Sequence, residues 1–89
     1  MDLELGGKVA IITGGSDGIG KAAALSMSRE GAHVAIVART QATLTAAAAE
    51  IRGETGVEVL DISADVTDEI QVKSVIQQVV AKWGGIDIL

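Results

Sequence analysis

The residues with the most pointed chemistry lie early in the chain, where an apolar run gives way to Thr13-Gly14-Gly15-Ser16-Asp17-Gly18-Ile19-Gly20. Gly14, Gly18 and Gly20 are spaced G-x-x-x-G-x-G, which differs from the G-x-G-x-x-G dinucleotide fingerprint but shares its physics. Glycine turns the backbone through positive φ, and its missing side chain lets a pyrophosphate approach closely. A helix beginning near Gly18 aims free N–H groups and about half a positive charge at that anion. Ser16 adds a hydroxyl for phosphate or ribose, with Asp17 and Ile19 completing the loop. The competing interpretation is a tight strand–helix turn that holds nothing.

The elements that must carry this loop follow from periodicity. Lys8-Val9-Ala10-Ile11-Ile12-Thr13 and His33-Val34-Ala35-Ile36-Val37-Ala38 are short apolar runs, as expected of strands buried on both faces. Gly18 to Glu30 is rich in helix formers, and Gly31 follows as a cap. Thr40 is placed to cap a second helix whose apolar positions Leu44, Ala47, Ala48 and Ile51 recur at i, i+3, i+4 and i+7. Gly53 and Gly56 bracket its end. Glu58 to Ala64 reads as a third strand, with Asp61 pointing to an edge. Thr67 is expected to cap a third helix bearing the stripe Val72, Val75, Ile76, Val79, Val80 and Trp83, with Asp68 and Glu69 at its positive end. Ile86-Asp87-Ile88-Leu89 begins a fourth strand that the terminus cuts off. The order βαβαβαβ with short connections and right-handed crossovers implies an α/β fold. It is the N-terminal half of a Rossmann-like, doubly wound parallel sheet.

The totals set limits. At 89 residues the chain supplies one domain. A net charge of −5 opposes general binding to nucleic acid or to an anionic membrane. Cysteine is absent and His33 stands alone, so no metal site is expected. Trp83 is read as core packing, and Lys21, Lys73 and Lys82 as solvated charges. The acidic start Met1-Asp2-Leu3-Glu4-Leu5 is unlike a signal peptide, and no apolar run is long enough to span a bilayer. A cytoplasmic location is the resulting expectation.

Three motifs now fall together. Thr13 to Gly20 resembles the T-G-x-x-x-G-I-G signature of the short-chain dehydrogenases/reductases, with 3-oxoacyl-carrier-protein reductase-like members a particular likeness. Ala64-Asp65-Val66-Thr67-Asp68 resembles that family's D-V motif, and Gly84 to Leu89 its G-x-I-D-x-L approach to the fourth strand. The resemblance implies that residues 1–89 form a partial NAD(P)-binding Rossmann domain. It places Asp65 by the adenine amino group and the Val66 backbone by the ring; helping to cap the third helix is the alternative for Asp65. It also implies an oxidoreductase acting on a carbonyl/alcohol pair, commonly a homotetramer. The family's catalytic Ser, Tyr and Lys cannot be assigned here, since the chain has no Tyr, and the 89 residues alone are expected to be inactive. A non-catalytic dinucleotide-binding module, or an inert truncated piece, is the alternative.

Coenzyme choice turns on the end of the second strand, where an acidic residue would accept bonds from the ribose hydroxyls. Ala38-Arg39-Thr40 has none. Arg39 can fork donors onto a 2′-phosphate and stack on adenine. A charge-assisted bond contributes roughly 1.5–3 kcal/mol, which favours NADP(H) by about tenfold or more. Asp17 opposes this, because NADP-preferring members often carry a basic residue there, and NAD(H) stays possible. The alternative for Arg39 is an ordinary solvated arginine.

Overall fold

The structure is a computed structural model that describes residues 6–14 and 18–88. The elements run β1 (Val9–Thr13), α1 (Gly18–Arg29), β2 (His33–Ala38), α2 (Gln41–Thr55), β3 (Val59–Ser63) and α3 (Glu69–Trp83). The strands form a parallel sheet in the order β1-β2-β3, with Val9 opposite His33 and Val34 opposite Val59. On the free side of β1, Ile88 forms a single parallel bridge with Ala10. The expected fourth strand is thus present among the described residues as one bridge rather than a run.

The central strand explains its own composition. Val34 and Ile36 face α1 and α2, packing with Ala24, Leu44, Ala47, Ala48 and Ile51. Ala35 and Val37 face the other way, in a second cluster with Val75 and Val79 of α3. Both faces are covered, so β2 has no place for a polar residue between Val34 and Val37. Strand β3 has β2 on only one side, which lets Asp61 stay half-buried there.

Helix ends depart from the expectation in instructive ways. Gly53 lies inside α2, and the chain leaves the helix only at Gly56, whose amide reaches the Arg52 carbonyl at 2.8 Å. Thr40 sits at the N-cap of α2 without a capping hydrogen bond. Asp68, not Thr67, caps α3, its carboxylate accepting from the amides of Ile70 and Gln71. The Thr67 hydroxyl is taken instead by Asp65, at 2.6 Å.

The α3 stripe is divided. Val75 and Val79 are buried against the sheet, whereas Ile76 and Val80 lie exposed on its flank. Trp83 is half-buried; its ring stacks on His33 with centroids 5.4 Å apart, and its Nε1 donates to Glu58 at 3.3 Å. Lys21 pairs with Glu50 and Lys82 with Glu58, so two lysines expected to be merely solvated tie elements together.

Ile36 is fully buried among both neighbouring helices' side chains. Ile36→Ala should lower unfolding free energy by about 2–5 kcal/mol in denaturant titration. Exposed Gln77→Ala should stay within about 0.5 kcal/mol of the parent. Equal effects from the two would contradict this packing.

Candidate functional site

Parallel strands in register end together, so the segments that follow them are brought to one edge of the sheet. Thr13 lies opposite Val37 and Ala38 opposite Ser63. Beyond them, the Gly14 amide donates to the Val37 carbonyl at 2.7 Å and the Ala64 amide to the Ala38 carbonyl at 2.9 Å. Gly14, Arg39 and Asp65, the last of which sits next to Ala64, are thereby gathered at the C-terminal ends of β1, β2 and β3. In open α/β sheets this is the edge where ligands bind.

The glycine turn has the features an anion needs. Gly14 has φ 70° and Gly18 φ 54°, a region that side chains bearing a Cβ seldom adopt. A Cβ at either position would meet no described heavy atom within 4 Å, so the backbone is open to a neighbour of another kind. Helix α1 begins at Gly18 and has no acidic residue in its first turn. Ile19 stands exposed and Gly20 half-buried at its start. Ser16 and Asp17 lie outside the described residues.

The second segment is anchored by its backbone. The Ser63 hydroxyl donates to the Arg39 carbonyl at 2.9 Å, and the Thr43 hydroxyl to the Thr40 carbonyl at 3.0 Å. From this fixed base the Arg39 side chain extends with 72% of its surface exposed, and its Nη2 lies 3.2 Å from Asp65 Oδ1.

The third segment folds on itself. The Asp65 amide donates to Gln71 Oε1 at 2.7 Å, and Asp65 Oδ1 accepts from the Thr67 amide at 2.9 Å and from its hydroxyl. The Asp68 amide closes the turn on the Asp65 carbonyl at 3.0 Å. Among the described residues no hydrogen bond reaches Asp65 Oδ2. Beside it, half-exposed Val66 stands at the rim of an apolar groove of about 250 Å³ that Thr13, Val37, Ala64 and Val72 also line.

Asp65 thus braces the entry to α3 through its carbonyl, its amide and Oδ1, the role weighed as the alternative for it, while Oδ2 has no hydrogen-bond partner among the described residues. Thr67, Ser63 and Gln71 were missed by the sequence reading as contributors to this edge. For Gln71 a signal existed: Asp68-Glu69-Ile70-Gln71 has the spacing of a capping box. For Ser63 there was none, because its partner is 24 residues away.

The donor set fits a phosphorylated nucleotide: amides at the start of α1 and a guanidinium for the anions, and a carboxylate oxygen for an amino group. A parallel sheet covered by helices on both faces, with a glycine turn after its first strand, is a Rossmann-like α/β fold. The chain belongs to the short chain dehydrogenase family, whose sequence profile matches residues 8–89.

Individual relatives agree. Cyclohexanol dehydrogenase of Rhodococcus sp. (strain TK6) is 39% identical over 98 residues, covering 98% of this chain and 36% of that protein. The crystal structure of L-sorbose reductase from Gluconobacter frateurii, complexed with NADPH and L-sorbose, superposes with a TM-score of 0.95 at 42% identity. It covers 99% of this chain and 34% of that one. NAD+-bound xylitol dehydrogenase superposes with a TM-score of 0.90 at 36% identity, over 96% of this chain and 33% of that one. The chain spans about a third of the length of these relatives.

The Thr67 hydroxyl and then its amide, helped by the Arg39 charge, hold the Asp65 carboxyl below its ordinary value of 3.8 against a smaller opposing effect of desolvation. A lowered folded-state pKa contributes stability above the unfolded value; that contribution is lost as pH falls through the folded value. In a carboxyl-carbon NMR titration Asp65 should therefore titrate below 3.8 and shift upward in Thr67→Val. An unmoved midpoint would remove Thr67 as the cause.

Proposed function

We propose that the whole protein is an NADP(H)-preferring oxidoreductase acting on a carbonyl/alcohol pair, and that this chain forms the adenosine and pyrophosphate half of its coenzyme site. The observation that carries the proposal is the gathering of the glycine turn, Arg39 and Asp65 on one edge of the sheet in a chain of this family. The nicotinamide coenzyme, when bound, supplies the hydride chemistry. The residues described here do something else: they bind and orient.

In this reading the amides around Gly14, Gly18, Ile19 and Gly20 receive the pyrophosphate at the start of α1. In the sequence of that loop Ser16 offers a hydroxyl to phosphate or ribose, while the acid Asp17 keeps NAD(H) possible. Arg39, with Thr40 beside it, meets the 2′-phosphate of the adenosine ribose. Asp65 accepts from the adenine amino group through Oδ2, and Val66 lies along the ring. No residue of this chain is assigned a catalytic role, because the proton-transfer side chains of the family have no counterpart in a sequence without Tyr.

Relatives with either coenzyme are known: L-sorbose reductase was solved with NADPH and xylitol dehydrogenase with NAD+. The preference for NADP(H) rests on Arg39, which stands at the end of β2 with no carboxylate of its own segment to take a ribose hydroxyl. A homotetramer is the assembly the family likeness suggests. Among the described residues no helix is long and apolar enough to cross a membrane.

The experiment is a comparison of kcat/KM with NADPH and NADH for the intact enzyme and its Arg39→Asp variant. Loss of a charge-assisted bond and gain of repulsion should shift the preference toward NADH by about tenfold or more. An unchanged ratio would remove Arg39 as the discriminator.

A further inference from the structure

The reading above gives Arg39 and Asp65 separate duties toward the coenzyme, yet the two side chains meet. We propose that Asp65 is the counter-charge that limits how strongly Arg39 favours a 2′-phosphorylated coenzyme, a specificity role distinct from any contact of its own with adenine. The inference rests on the assignment of Arg39 to the 2′-phosphate.

The asymmetry of the pair supports this. Asp65 is held by its own turn: Thr67 donates twice to Oδ1, and the Asp65 amide is tied to Gln71. The Arg39 backbone is equally fixed, through Ser63. The Arg39 side chain itself is 72% exposed and touches Asp65 through one nitrogen at 3.2 Å. An exposed guanidinium therefore meets a carboxylate that its own turn already holds in place.

An exposed ion pair adds little stability, so its consequence lies in charge rather than in strength. With Asp65 in place, part of the Arg39 charge is neutralised and one of its donors is engaged. A phosphate on the ribose must compete for that guanidinium, and it brings close to two negative charges near a carboxylate that Thr67 keeps ionised and in position. A 2′-hydroxyl meets neither obstacle. The carboxylate thus weakens the phosphorylated coenzyme selectively. Any Asp65 contact with adenine is common to both coenzymes and cancels from the ratio of their affinities.

The test is calorimetric titration of the intact protein with NADPH and with NADH, in wild type, Arg39→Ala, Asp65→Asn and Asp65→Ser. Both Asp65 replacements retain an oxygen for Thr67 and drop the charge, so either one suffices if the other fails to fold. The preference for NADPH should rise about three- to tenfold when the carboxylate is neutralised, an effect that shrinks with added salt. Arg39→Ala should lower that preference. If Arg39→Ala lowers it while the Asp65 variants leave it unchanged or reduce it, this inference falls and the coenzyme assignment stands. If Arg39→Ala has no effect on the ratio, or wild type binds neither coenzyme, the assignment falls and takes the inference with it.

Discussion

The parallel pairing of β2 with both of its neighbours is the constraint on which the rest of this structure depends. It aligns Thr13 with Val37 and Ala38 with Ser63, so the chain leaves all three strands at one level. Burial enforces the register. Val34 and Ile36 must face α1 and α2 while Ala35 and Val37 face α3, and a slip of one residue would exchange those faces. From this follow the position of the glycine turn, the emergence of Arg39 and the approach of Asp65. The site is a property of the sheet edge, and each side chain inherits its place from the pairing beneath it.

The opposite end of the sheet is built differently. His33 stacks on Trp83, Glu58 accepts from the Trp83 ring nitrogen and pairs with Lys82, and Lys82 lies 5.9 Å over the indole. Lys82, ahead of Trp83, holds the Glu58 carboxyl below its ordinary range. These contacts join the last turn of α3 to the starts of β2 and β3, using side chains to close one end. At the candidate site the Arg39 side chain is instead largely exposed, with a single contact to Asp65. This side-chain cluster and the proposed binding edge thus lie at opposite ends of the same strands.

Much of this was legible in the sequence because the strongest signals are local. The run His33 to Ala38 forms β2 over those same residues, since an apolar hexapeptide between Gly31 and Arg39 has few other uses. The positive φ of Gly14 and of Gly18 and the start of α1 were equally readable. Local signals failed where neighbouring residues compete. Thr67 and Asp68 can each cap a helix, and the choice fell to Asp68 because Asp65 captures the Thr67 hydroxyl. The α3 stripe counted six apolar residues, but periodicity alone does not tell how many the sheet can cover, and Ile76 and Val80 remain outside. The meeting of Arg39 and Asp65, 26 residues apart, has no local signature; it follows from the order of strands.

The central claim is that the C-terminal edge of β1, β2 and β3 receives a nicotinamide dinucleotide. Amide hydrogen exchange on the intact protein, with and without saturating NADPH, tests it most directly. The account predicts slowed exchange at the start of α1 around Gly18 to Gly20 and in the Asp65–Thr67 turn, with His33 and Glu58 at the far end unchanged. Protection confined to the far end, or none anywhere at saturation, would contradict it.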